Sequence, residues 1–240
     1  MGAAIGWGAL AASSLVIGAL LAFAVELPKQ RLGIVLAFGA GALISAVSVE
    51  LAEEGLSVGG FGWTALGLAG GALTYFTLDG LISRRFGSSE GGKGGGSDTG
   101  TALALGAFLD GIPEQLVLGL GIAGGAGVSV GLLAAIFVSN LPESIGSAGA
   151  MRDAGRSRSN ILWLWTGVAV VAVISSAAGY GLGDSFSGEA RATVDGFAAG
   201  ALLVMLIDSM IPDARKDGGR LAGLATVLGF AVALALSSVS

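Results

Sequence analysis

Neither cysteine nor histidine occurs anywhere in the 240 residues, and Asp, Glu, Lys and Arg together make up only 12% of them. The first absence excludes disulfides, thiolate nucleophiles and sulfur-ligated metals. The second removes imidazole ligands and the usual proton shuttle of neutral pH. Any chemistry must therefore run on carboxylates, hydroxyls and amides. Ordinary soluble domains carry about 25% charged residues, whereas here 53% are hydrophobic and the mean hydropathy is +0.84. That balance belongs to a membrane protein and excludes a soluble enzyme. Basic residues are also scarce, 12 against 17 acids, and none cluster among aromatics, so nucleic acid is excluded as a partner. What abounds is glycine, 44 residues of it. Small residues let helix backbones touch in lipid, where no hydrophobic force draws helices together.

Crossing the hydrocarbon takes about 20 apolar residues. Breaks at Pro, Gly and charge clusters divide the chain into eight such stretches, near 3–25, 32–52, 60–82, 101–123, 128–151, 160–182, 191–212 and 220–239. Cations collect in cytoplasmic loops, which tests the division. Lys29 and Arg31 follow the first stretch; Arg84, Arg85 and Lys93 the third; Arg152, Arg156 and Arg158 the fifth; Arg215, Lys216 and Arg220 the seventh. Only Arg191 falls on the opposite side. The predicted fold is all-α and integral to the membrane, with eight spans and both termini extracytoplasmic. It forms a single transmembrane domain over residues 1–240, interrupted by a flexible cytoplasmic Gly/Ser loop at 84–100. Residues 1–25 lack a positive n-region, so the first span is expected to stay in the mature protein. Trp7, Trp63, Trp163 and Trp165 lie near span ends and read as interfacial anchors.

Acids at mid-membrane cost about 2.5–3.5 kcal/mol each on insertion scales, so they mark function. Glu50 lies near the outer end of the second span and Asp79 near the inner end of the third. Asp110 and Glu114 fall midway in the fourth, Glu143 deep in the fifth and Asp208 late in the seventh. No Lys or Arg lies at comparable depth, which leaves an arriving cation as the simplest neutralising partner. Asp110 and Glu114, four apart, share a helix face. Pro113 between them has no N–H and frees the carbonyl of Leu109. The fifth span repeats the device, with Ser139 and Asn140 one turn before Glu143 and Pro142 freeing the carbonyl of Val138. The short link between these spans makes them antiparallel, so two kinked acidic helices face each other.

"DGIPEQ" at 110–115 and "SNLPES" at 139–144 resemble the paired His-Asn-x-Pro-Glu-Gly motifs of the ZIP family of divalent-metal transporters, in its GufA-like bacterial branch. "AAGALLVMLIDSMIPDA" at 198–214 resembles the family's penultimate helix. The resemblance implies a 3+2+3 helix bundle, a metal site between helices four and five, a homodimer, and a place in the plasma or inner membrane. Carried over by position, it implies Asp110, Glu114, Ser139, Asn140 and Glu143 as the metal site, with Asp208 on the path to the cytoplasm and Glu50 where the ion enters. The family's His positions hold Asp110, Ser139 and Asp208 here. An all-oxygen site suits Mg, Mn or Fe(II), with Co or Zn as further candidates for the transported ion.

Three other patterns point elsewhere. Gly119, Gly121 and Gly124 form a GxGxxG with no strand before it, which reads as helix packing rather than a dinucleotide site. "GLGD" at 181–184 is similar to an intramembrane aspartyl protease motif but lacks its partner, and an intramembrane hydrolase would have to use Asp110 with Glu114. The chain is therefore expected not to be an enzyme. A cation sensor or scaffold without flux, or a proton-coupled carrier of an organic cation, is the alternative to metal transport. The expected partners are the metal ion and the lipid bilayer.

Overall fold

In the computed structural model, residues 1–25, 27–86, 97–123, 128–183 and 186–238 are described, without the side chains of 82–86, 97–105, 107, 109 and 110. Among these residues the chain is helical throughout and has no strand. The helices are α1 (Gly2–Ala24), α2 (Lys29–Ala46), α3 (Glu53–Phe86), α4 (Ser97–Ala123), α5 (Val130–Asp153), α6 (Arg158–Gly183), α7 (Gly188–Met205), α8 (Ile211–Gly218) and α9 (Leu221–Ser237). Each of the eight apolar stretches falls on helix. Among the described residues five helical runs are long and apolar enough to cross a membrane: 2–24, 29–81, 130–153, 158–183 and 188–218. The run 29–81, 53 residues long, is over twice the length a single crossing needs. It breaks at Gly60, whose φ of 78° a side chain would strain. Helix occupies both ends of the predicted 84–100 loop, since α3 runs to Phe86 and α4 begins at Ser97. Residues 87–96 of that loop lie outside the described residues.

Two helices are interrupted in a way the composition does not announce. Val47–Ala52, after α2, and Leu206–Met210, after α7, are π-helical turns. An i→i+5 turn widens the helix by one residue and recurs at functional sites. The two turns hold Glu50 and Asp208.

Local chemistry sets the ends. Ser129 and Ser187 cap α5 and α7, their hydroxyls accepting from the amides of Leu132 at 3.1 Å and Ala190 at 3.2 Å. At the other end of α5, the Arg152 guanidinium donates to the carbonyl of Ala22 in the last turn of α1, where the helix dipole favours a cation. Arg158, opening α6, stands 5.3 Å over the Phe23 ring. The basic segments after α1 and α5 thus meet at one end of the bundle. Gly33 of α2 lies against Asp217 and Gly218 of α8, which brings the basic segment of Arg215 and Lys216 to the same end.

Packing relies on glycine at helix crossings. A Cβ at Gly71 or Gly67 of α3 would collide with the carbonyl of Phe197 or Thr193 in α7. In return, one at Gly196 or Gly200 of α7 would strike the carbonyl of Thr64 or Leu68 in α3. The α4–α6 pair repeats this reciprocity with Gly119 on Ser176 and Gly179 on Leu116, and the α2–α9 pair with Gly41 on Thr226 and Gly229 on Phe38. Such contact between carbonyl and bare Cα is the close approach that membrane helices use. Gly71→Ala is accordingly expected to lower thermal stability in detergent by about 1–3 kcal/mol through overpacking. Gly62→Ala, with nothing within 4 Å of the added carbon, is expected to be neutral or to stabilise by up to about 1 kcal/mol.

Two large apolar cores result, beside a small cluster of Ala37, Ala214 and Ala222 where α2, α8 and α9 meet. One joins α1, α5 and α6 around Leu15, Ala148, Met151 and Trp165; the other joins α2, α4, α5, α7 and α9 around Leu43, Val117, Leu132, Ile136 and Leu202. α5 contributes to both, its first half to the second core and its last turns to the first. A helix covered on all sides can keep polar side chains away from lipid, and the polar motif of α5 lies between the two halves. Trp165 corrects the reading of the tryptophans. It is fully buried in the first core, whereas Trp163, two residues earlier and so on the opposite face of α6, is 74% exposed.

Candidate functional site

α4 and α5 pack against each other and carry Pro113 and Pro142 inside the helix. Neither proline can donate, so the carbonyls of Leu109 and Val138 have no partner one turn on. Beside these prolines Glu114 is 1% exposed, and Ser139 and Asn140 are each 2% exposed. Glu143 is half-buried. The Asp110 side chain lies outside the described residues, so its predicted pairing with Glu114 does too. Gly39 of α2 lies against the Ser139 backbone and the end of the Met210 side chain. The Ser139 hydroxyl donates to the carbonyl of Ile136 at 3.0 Å and leaves its lone pairs available.

The other hydroxyls and amides near the motifs hold helices together. Ser144 donates to the carbonyl of Asn140 at 2.9 Å and lies 3.4 Å from that of Ser14 in α1. Ser176 of α6 donates to Ala4 of α1 at 3.0 Å. Gln115 reaches the carbonyl of Gly8 in α1 at 3.5 Å. Gly119, from the GxGxxG pattern, lies against the carbonyl of Ser176. Gly124 and Asp184, which belong to the two decoy motifs, lie outside the described residues.

Glu50 and Asp208 sit apart from Glu114. Glu50 lines a cavity of about 180 Å³ together with Glu54, Asp195, Ser129 and Ser237, where the π turn after α2 and helices α3, α4, α5, α7 and α9 converge. This end of the bundle is opposite the basic segments. Asp208 is exposed in a largely apolar groove of about 360 Å³ beside Leu68, Ala72 and Phe76, close enough to Asp79 for the two charges to repel. Among the described residues no three acidic side chains come within range of one metal ion. Glu114, Ser139 and Asn140 occupy the interior of the α4–α5 region, Glu50 a cavity at one end, and Asp208 a groove along α3.

Asp195, 2% exposed, was not among the predicted residues. Its sequence signal was available: a carboxylate one helical turn after Arg191, the only base on the outer side. Arg191 forms an ion pair with Glu54, and both act electrostatically on Asp195.

No family model matches the chain. It is 30% identical over 217 residues, 88% of its length, to an Arabidopsis thaliana protein named "Putative zinc transporter". The chain spans about a third of that relative, 35% of its length. Together with the five apolar helices among the described residues, this similarity marks the chain as a multi-pass membrane protein related to one named a putative zinc transporter.

Proposed function

We propose that the chain carries divalent metal cations across a membrane through an oxygen-lined site between α4 and α5, formed by Glu114, Asn140, Glu143, Ser139 and Asp110. The observation that carries this reading is Glu114, a carboxylate 1% exposed, on a helix with a proline inside it, next to a second proline-containing helix with a buried Asn140 and Ser139. A carboxylate so deep in a membrane-spanning helix reads as functional. Two freed carbonyls add neutral oxygens of the type hard cations take.

The arrangement goes with a ZIP-type protein of eight spans in a 3+2+3 bundle, the 29–81 run folding back at Gly60 and both termini outside. The ion enters from the Glu50 end, sheds water between α4 and α5, and leaves past Asp208 toward the basic loops. Uptake is the favoured direction, because an inside-negative potential contributes about 2.3 kcal/mol per charge per 100 mV. With no nitrogen or sulfur donor, the transported ion is Mn, Fe(II), Mg or Co ahead of Zn. A homodimer in the plasma or inner membrane completes the proposal.

Reconstituted vesicles with an imposed inside-negative potential test it. Saturable uptake of Mn²⁺ that other divalent ions compete for is the expected result. Thermal stabilisation by Mn²⁺ without flux would replace transport with sensing, and flux of an organic amine alone would replace the metal.

A further inference from the structure

The cavity at the Glu50 end has features that transport through Glu114 does not require. Glu50, Glu54 and Asp195 line it, on the π turn after α2, on α3 and on α7. Its one described counter-charge is Arg191, ion-paired with Glu54. Asp195 is 2% exposed, and its Oδ2 has no hydrogen-bond partner. An orphaned carboxylate oxygen in a buried polar cavity is costly unless something occupies the space. The three carboxylates do not converge within one metal's ligand range, so a bare ion would not bind to all three directly. The cavity of about 180 Å³ instead has room for an ion that keeps water between itself and the carboxylates.

We propose that this cavity is a second cation site, which holds a hydrated divalent ion through water on Glu50, Glu54 and Asp195, with Arg191 as a resident counter-ion that the ion releases from Glu54. The site deepens the transport proposal and rests on it for its place on the path, since an ion held here still carries its water and Glu114 lies farther along α4. Arg191 sets a threshold. It holds Glu54 when no ion is present, and a monovalent ion competes with it less well than a divalent one.

Mn²⁺ binding to the purified full-length protein, counted by electron paramagnetic resonance, tests this without any need for flux. Wild-type protein is expected to bind two ions. Asp195→Asn should lose one of them, or weaken it by at least about tenfold. Arg191→Gln, which leaves all three carboxylates in place, should tighten that ion by about fivefold, the size of a partly exposed ion pair. It should also lower the KM for uptake. Unchanged Mn²⁺ stoichiometry and affinity in Asp195→Asn, or weaker binding in Arg191→Gln, would overturn the outer site. Two ions bound with one dependent on Asp195, but no uptake in vesicles, would uphold the outer site and overturn transport alone.

Discussion

Glu114→Gln is expected to abolish most saturable divalent uptake, lowering the rate at subsaturating Mn²⁺ by at least about 10- to 100-fold. Even the loss of a group that merely supports a metal ligand costs that much. The substitution is nearly isosteric and removes a charge from a position that is 1% exposed. An amide desolvates more cheaply than a carboxylate, so the melting temperature should stay level or rise while transport falls. Glu143→Gln, on the facing helix, should behave the same way. Two variants that both stay folded and both retain wild-type uptake would remove the carboxylates from the path.

Pro142→Ala should separate the metal site from the fold in a second way. Proline inside a helix costs about 3 kcal/mol or more, and alanine at 142 supplies the N–H that can close on the Val138 carbonyl. The buried ring also leaves a small void, which offsets part of the gain. Stability in detergent is therefore expected to hold or rise. Uptake should fall by about tenfold, because one freed oxygen is withdrawn and α5 straightens against α4. Lower stability together with unaltered uptake would make Pro142 a packing residue and nothing more.

Much of the architecture was legible in composition and punctuation. Each apolar stretch between basic clusters is helical, because the same Pro, Gly and charge breaks that ended the stretches also end the helices, as at Gly155 and Gly219 with their positive φ. That glycine would let the helices touch could be read, but not which helices meet. The Gly71 contact with Phe197 depends on the register of α3 against α7, and local sequence does not encode register. The π turns at Glu50 and Asp208 were invisible, since one extra residue in a helical turn leaves no mark in an apolar run.

The site was legible where chemistry repeats along the chain. Pro-Glu at 113–114 and again at 142–143 singled out α4 and α5, and the structure buries Glu114 and Asn140 there. Asp208, read from its depth and from the resemblance of 198–214, stands in a groove along α3. Asp195 was overlooked. Its importance comes from Glu54 and Arg191, and Glu54 lies on another helix far away in sequence. Trp165 was misplaced because nearness to a span end says nothing about which face of α6 a residue takes.

The most direct test is the anomalous scattering from Mn²⁺ soaked into crystals of the protein. The transport site proposed here requires a peak between α4 and α5, within about 2.0–2.6 Å of oxygens from both Glu114 and Glu143. A well-ordered structure with those two carboxylates turned toward different neighbours, and manganese bound only elsewhere, would contradict it.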